Sequence, residues 1–216
     1  MRSPPVKAGE EERKTALPLV YAFMTTKRQD HYSKVLETIR NAATRFRVPS
    51  VFPNFVMSDF EMGILNAIKA TIPESAVKAC FFHLGQSVYR KVQTLGLQQA
   101  YTDPEDRSVK NAVHSMLALA FVPLADVEDT FVKLERDLPA ALRPVAQYFD
   151  EYYLRGPRAR TARRQRGVAQ RPRYDPALWN TYEATLRDEH RTNNLSEGWH
   201  NRFHVRLLQY GWRQLE

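Results

Sequence analysis

The sequence of 216 residues contains a single cysteine and no uninterrupted apolar run as long as a transmembrane helix, which needs roughly 18 residues. One cysteine, Cys80, excludes an internal disulfide framework and suits a reducing compartment. The first residues, MRSPPVKAGEEERK, lack the apolar centre of a secretory signal. With 43% hydrophobic and 26% charged residues, the composition is typical of a globular domain and predicts no membrane contact.

Acidic residues are missing from one part of the chain, residues 155–173, which contains eight arginines. The formal net charge is +8, so this arginine strip accounts for the entire excess of positive charge. The rest of the chain is neutral overall. This distribution argues against a protein that wraps nucleic acid with its whole surface.

The first half of the chain alternates strand-like and helix-like patterns. Apolar runs of strand length occupy residues 17–25, 51–57 and 77–82, although Pro53 weakens the second. Apolar residues at helical spacing follow each run. The alternation predicts parallel strands in an α/β layer architecture.

From Pro104 onward the pattern is helical only. We therefore predict a disordered end (1–16), a partial α/β core (17–103), a helical insertion (104–190) and a C-terminal helix returning to the core (191–216). The arginine strip interrupts the insertion as a loop.

Asp59 follows the second predicted strand, where the carboxyl ends of strands form sites in open α/β sheets. A carboxylate at this place can hold a divalent cation. Helix capping is the competing interpretation, because Ser58 and Glu61 have the spacing of a capping box and Asp59 is itself a good cap.

The last predicted helix carries a second candidate carboxylate, Glu197. Helical geometry places it on one polar face with His200 and His204, opposite an apolar face. Capping again competes, since Asn194 and Glu197 are spaced as a cap and its third-position partner.

Cys80 and His83 form a C-x2-H pair, and with His200 and His204 they have the ligand types of a zinc site. More than a hundred residues separate the two halves, and a cysteine on an apolar strand is usually buried packing. We therefore expect no zinc, although a zinc-stabilised interaction module stays an alternative.

The arginine strip has three interpretations: a solvated loop, a nuclear-localisation patch, or contact with nucleic-acid phosphates. Tyr174 is the one aromatic residue that adjoins it, so base stacking along the strip is not indicated. The candidate phosphate ligands are Arg158, Arg160, Arg163, Arg164, Arg166, Arg171 and Arg173.

Five ordered pieces of the chain resemble the transposase domain of Mutator-like elements (MULE). They are VMSDFEMGILNAI, KACFFHLGQSVYRKVQTLGLQQAY, ALAFVP, LWNTYEATL and RTNNLSEGWHNRFH. The resemblance implies an RNase H-like core with a helical insertion before the last catalytic residue. Here the core would be incomplete, with three strands and alternating helices.

The resemblance also implies a chemistry, in which three acidic residues hold two Mg²⁺ or Mn²⁺ ions for DNA strand cleavage and transfer. Asp59 matches the second aspartate and Glu197 the closing glutamate. Cys80 and His83 match the family's C-x2-H motif beside the active site, with His83 contacting DNA or positioning the leaving group. His200 and His204 would lie next to the site.

One departure from the family concerns its first aspartate, which precedes the segment resembling LPLVYAFMTTK. No aspartate stands before Leu17 in this sequence. We therefore expect a truncated or domesticated nuclear transposase domain that binds DNA, is inactive alone and could form a homo-oligomer. A non-catalytic DNA-binding or regulatory protein is the alternative.

Overall fold

The computed structural model describes residues 19–48, 52–157, 171–189 and 191–192. Contacts divide the chain into two compact units. One comprises Met1–Phe23 with Asn194–Glu216, and of it residues 19–23 are described. The other, Met24–Asn193, contains every helix and strand given below.

The sheet in the described residues has two strands, β1 (Phe55–Ser58) and β2 (Ala76–Ala79), which pair in parallel. The parallel pairing predicted from the alternation is confirmed. Pro53 stays outside β1, consistent with its missing N–H, and its carbonyl accepts a 2.6 Å hydrogen bond from Ser75 Oγ.

Helices surround this small sheet and make up most of the described chain, as the helical pattern after Pro104 predicted. They are α1 (Gln29–Arg45), α2 (Met62–Thr71), α3 (Phe81–Thr94), α4 (Gln98–Thr102), α5 (Ser108–Ala118), α6 (Val127–Asp137), α7 (Arg143–Phe149), α8 (Pro176–Trp179) and α9 (Tyr182–Leu186). Single 3-10 turns lie at Leu119–Phe121, Leu124–Asp126 and Ala140–Leu142, and a π-helical turn at Asp150–Leu154. In the described ranges, no helix is both long and apolar enough to cross a lipid bilayer.

The first predicted strand, residues 17–25, is wrong over the part that the structure describes. Residues 19–25 form no strand, and the Phe23 side chain is 86% exposed. An apolar run becomes a strand only when a neighbouring strand satisfies its backbone groups, and no described strand pairs with this one. The expected three-stranded core is therefore a two-stranded sheet in the described residues.

The third predicted strand is shorter than expected, because α3 begins at Phe81. Helix α3 ends just before Gly96, whose φ of +72° glycine adopts without strain. One hydrophobic cluster joins β2, α2 and α3 to the later helices as far as Trp179, whose side chain is fully buried. The α/β part and the helical part therefore share one core.

Candidate functional site

An open cleft of about 480 Å³ lies at the carboxyl ends of the two parallel strands. In open α/β folds this edge is where ligands bind. The cleft is lined by Lys27, Asp59, Phe60, Glu61, His83, Gln86, Ser87, Arg90, Tyr148, Tyr152, Tyr153, Arg173 and Tyr174. It brings together three residues that the sequence nominated separately: Asp59, His83 and Arg173.

Asp59 and His83 form the centre of this cleft. Asp59 directly follows β1, and His83 lies in the first turn of α3, just after β2. Asp59 Oδ1 is 3.0 Å from His83 Nδ1, so the two groups are an ion pair whenever the imidazole is protonated. The Asp59 side chain is 55% exposed and that of His83 is 21% exposed, so the carboxylate remains accessible from the cleft.

The capping-box interpretation of Ser58 and Glu61 is wrong. Helix α2 begins three residues later than that spacing requires, with Glu61 itself at the N-cap and no side-chain cap hydrogen bond. The Glu61 N–H instead donates to the Asp59 carbonyl at 2.8 Å, which closes a tight turn after β1. That turn directs the chain from the strand into α2 with Asp59 on the cleft side.

Glu61 is a second cleft carboxylate, but it is engaged by its neighbours. Its Oε1 accepts a 2.7 Å hydrogen bond from the Tyr32 hydroxyl, and its Oε2 lies 3.1 Å from Lys27 Nζ. Burial and the hydrogen bond to Glu61 raise the pKa of Tyr32 to about 12. Glu61 therefore joins α1 to the loop after β1.

Gly63 allows this arrangement to close. A Cβ at Gly63 would lie 2.5 Å from the Lys27 carbonyl oxygen, closer than real Cβ contacts come. The absence of a side chain lets residues 27–29 run directly against α2. Lys27 thereby reaches the cleft.

One face of α3 forms a wall of the cleft. His83, Gln86, Ser87 and Arg90 recur at three and four residues and all line it, while Leu84 and other apolar residues of the opposite face are buried. The helical period of α3 is the sequence signal that places Arg90 on the same face as His83.

A cluster of hydroxyl groups connects that wall to the helical insertion. Ser87 Oγ lies 2.8 Å from the Tyr148 hydroxyl and 2.7 Å from that of Tyr153. Burial is the largest cause that raises the pKa of Tyr153, so this hydroxyl stays protonated. No sequence signal places these three residues together, since 61 to 66 positions separate Ser87 from the tyrosines.

Aromatic rings line the cleft below Asp59. Phe60 packs edge-to-face on Tyr153 and Tyr174, with ring centroids 5.5 and 4.9 Å apart. The Tyr174 hydroxyl donates to the Phe60 carbonyl at 2.8 Å. This cluster fixes the loop that carries Asp59 against the helical insertion.

The arginine strip lies largely outside the described residues. Of the seven candidate phosphate ligands, Arg171 and Arg173 are described, both are exposed, and Arg173 lines the cleft. Arg155, the first arginine of the strip, has a different role, because its guanidinium binds the buried Asp150 carboxylate through two hydrogen bonds of 2.5 and 2.8 Å. The candidates outside the described residues are Arg158, Arg160, Arg163, Arg164 and Arg166.

Few of the described side chains are suited to bind a metal ion. Across them, no group of three or more His, Cys, Asp and Glu residues is arranged to hold an ion. Asp59 offers a hard, accessible oxygen ligand of the kind that Mg²⁺ prefers, whereas Glu61 is engaged by Lys27 and Tyr32. Cys80 is fully buried and does not line the cleft. Glu197, His200 and His204 lie outside the described residues, so their roles stay predictions.

Comparison with protein families gives a match over the part of the chain that contains the Asp59–His83 pair. Residues 6–87 match the family model of the MULE transposase domain. This segment is therefore similar to the MULE transposase domain. The match covers well under half of the 216 residues and ends within α3. No curated protein and no solved structure matches the chain.

The match over residues 6–87, the MULE-like segment, thus confirms the resemblance for the first of the five motifs and for the start of the second. The three motifs nearer the C-terminus lie beyond it. Within the segment, the structure places Asp59 and His83 in one cleft. The later part of the chain contributes Tyr148, Tyr152 and Arg173 to the same cleft.

Proposed function

We propose that this chain is a MULE-type transposase domain that binds DNA through the Asp59–His83 cleft and does not cut DNA on its own. The observation that carries the proposal is the Asp59–His83 pair at the ends of two parallel strands, inside the MULE-like segment. The finer assignments follow from the family: an RNase H-like DDE ancestry, DNA as the partner and the nucleus as the location.

The charges around the cleft support DNA binding. Lys27, Arg90 and Arg173 are exposed and line it; Lys27 is paired with Glu61, so the positive charge beside the accessible Asp59 carboxylate comes from Arg90 and Arg173. Exposed cations that release counterions from phosphates supply most non-specific affinity for DNA. Arg173, from the end of the arginine strip, thus adds positive charge to the cleft that contains the Asp59–His83 pair.

The metal in this family's chemistry would activate a water or hydroxyl nucleophile and stabilise the leaving oxygen of the phosphodiester. In this chain Asp59 and Glu197 would hold it, with Mg²⁺ or Mn²⁺ as the ion. His83, 3.0 Å from Asp59, would orient that carboxylate and contact the DNA.

The proposed lack of cutting follows from the number of carboxylates that match the family's catalytic motifs. Two-metal phosphoryl transfer in this family uses three acidic residues, and the chain offers Asp59 and Glu197. Glu61 is a poor substitute, because a cation at its carboxylate would have to displace both Lys27 and the Tyr32 hydroxyl.

A plasmid-nicking assay in Mg²⁺ or Mn²⁺ tests this proposal. We expect the 216-residue chain to shift supercoiled DNA in a binding assay and to leave it uncut. Asp59→Asn is the matched variant, since it keeps the size of the side chain and removes the charge. Nicking by the wild-type chain that disappears in Asp59→Asn would contradict the proposed inactivity. Failure of the wild-type chain to bind DNA would contradict the proposed function.

A further inference from the structure

Two tyrosines of the helical insertion line the cleft beside its cations. Tyr148 and Tyr152 are both lining residues, and their ring centroids are 4.7 Å apart with the planes tilted by 37°. Tyr152 is 37% exposed, so part of its ring surface faces solvent. An accessible aromatic surface in a charged cleft differs from the phosphate contacts that the arginine strip predicted.

The surrounding contacts hold this aromatic surface in place. The Tyr148 hydroxyl is fixed by Ser87 at 2.8 Å, and Lys91 Nζ lies over the Tyr148 ring at 5.5 Å from its centroid. A ring that is already fixed loses little conformational entropy when a ligand stacks on it. The structure therefore provides a rigid stacking surface and not a mobile surface residue.

The backbone beside the tyrosines has an unusual local geometry. A π-helical turn, Asp150–Leu154, contains Tyr152 and Tyr153, and both residues line the cleft. The turn is secured by Arg155, which bonds the buried Asp150 carboxylate with two hydrogen bonds. Single π-helical turns inside helices occur frequently at functional sites.

Two arginines line the cleft together with the rings. Arg90 lies one turn beyond Ser87 on the cleft face of α3, and Arg173 precedes Tyr174, whose ring stacks on Tyr153 at 5.4 Å between centroids. Cations that follow a backbone and rings that stack bases are the two components of single-strand binding surfaces. Duplex DNA keeps its bases stacked inside and offers such rings nothing to stack on.

We propose that Tyr152, backed by the Tyr148 ring, stacks an unpaired base in this cleft, so that the protein prefers single-stranded DNA or a frayed end to intact duplex. The inference rests on the proposed DNA binding and adds the form of DNA that is bound. The phosphates beside that base contact Arg90 and Arg173, which brings the strand to the Asp59–His83 pair.

Binding of the full 216-residue chain to two fluorescently labelled DNAs tests this inference. The probes are a 20-nucleotide single strand and its duplex, each titrated at one fixed salt concentration. In Tyr152→Leu we expect the affinity for the single strand to fall about 5- to 150-fold, since stacking contributes about 1–3 kcal/mol per base. Duplex affinity should change less than twofold. Tyr152→Phe, which keeps the ring, should bind both probes like the wild-type chain.

A second readout reports stacking directly. A single strand that carries one 2-aminopurine should lose fluorescence on binding to wild-type protein and to Tyr152→Phe, and lose less on binding to Tyr152→Leu. Because the Tyr152 ring also packs on Tyr148, a small drop in melting temperature is expected for Tyr152→Leu and none for Tyr152→Phe, and binding is compared at a temperature where every variant is folded.

The outcomes separate the two proposals. The stacking inference would be overturned if Tyr152→Leu lost affinity equally for both probes. It would also be overturned if Tyr152→Leu bound the single strand as tightly as the wild-type chain does. If Arg90→Gln combined with Arg173→Gln changes binding to neither probe, the proposed DNA-binding cleft itself is wrong.

Discussion

Two cavities of similar size lie against the same two-stranded sheet and differ in how their cations are used. The Asp59–His83 cleft has a volume of about 480 Å³, and a second cavity, the sheet-face groove, has about 410 Å³. Phe55, Met57 and Lys78 alternate along the strands and line one side of the groove. Residues 123–125 and 180–184 line much of the remainder.

The groove contains a lysine that serves the fold. Lys78 Nζ donates to the carbonyls of Ala177 and Asn180 at 2.5 and 3.3 Å, tying β2 to the two ends of α8, and burial lowers its pKa. In the cleft, Lys27 is 80% exposed and Arg90 is exposed as well. A positive charge beside the sheet can serve as a ligand only where backbone carbonyls do not already occupy it.

The largest expected effect is on DNA affinity, which should depend on the cations of the cleft and not on Lys78 in the groove. Lys27→Gln, Arg90→Gln and Arg173→Gln combined should weaken duplex binding steeply at low salt. If each cation contacts one phosphate, the slope of log affinity against log salt becomes shallower by about 2.7. Titrations at several salt concentrations measure it, and Lys78→Gln is the matched control. An equal loss of DNA affinity in Lys78→Gln would mean that the two cavities do not differ in DNA binding.

The next effect is on stability and concerns Gly63, whose lack of a side chain lets Lys27 reach the cleft. Gly63→Ala places a Cβ against the Lys27 carbonyl and should lower the free energy of unfolding by about 3 kcal/mol, the upper part of the range for overpacking. Chemical denaturation measures this change. The matched control is Gly85→Ala, where a Cβ would meet Leu117 at an ordinary 3.8 Å. That variant should be neutral or slightly more stable, because alanine favours helix over glycine. Similar losses in both would show that close packing at Gly63 is unimportant.

A smaller effect is expected in the groove. Lys78→Met removes the donor to two backbone carbonyls and should cost about 2 kcal/mol of unfolding free energy without changing DNA affinity. Denaturation and DNA titration of the same preparation measure both quantities. Lys69→Met, at an exposed position of α2, serves as the control for loss of a positive charge. Weaker DNA binding in Lys78→Met alone would assign the groove a role in recognition.

The smallest effect depends on pH. Tyr32 holds its proton more tightly in the folded chain, with a pKa of about 12 against its ordinary 10.0. The stability that protonated Tyr32 contributes is therefore fully present below pH 10 and is lost as the pH rises towards 12. Tyr32→Phe should be less stable than wild type by about 1.5 kcal/mol at pH 8, since its partner Glu61 is charged. The difference should shrink by pH 11.5, whereas a constant difference would mean that the hydroxyl does not interact with Glu61.

The sequence predicted the elements whose signals are local. The periods of α3, α5 and α6, the parallel pairing of β1 with β2 and the end of α3 at Gly96 follow from spacing and from glycine. The strand at residues 17–25 was wrong because strand formation depends on a partner that the apolar run cannot specify.

The sequence predicted only part of the site, because long-range packing brings some of its residues together. Asp59 and His83 were identified by family motifs and by their position after strands, and Arg173 by charge. Tyr148 and Tyr152 were overlooked as cleft residues, because long-range packing brings the insertion to the end of the sheet. The helical spacing of Tyr152 with Val145 and Phe149 predicts a core residue, whereas its side chain is 37% exposed and lines the cleft.

Protection of a thiol by DNA tests most directly whether the cleft, and not the groove, is the binding surface. Cys80 is the one native cysteine and is fully buried, so a cysteine introduced at Gln86 in the cleft or at Ala125 in the groove can be alkylated selectively. We predict that saturating DNA slows alkylation of Gln86→Cys at least tenfold and leaves Ala125→Cys unchanged. Equal rates with and without DNA at position 86, or protection at position 125 alone, would contradict the account.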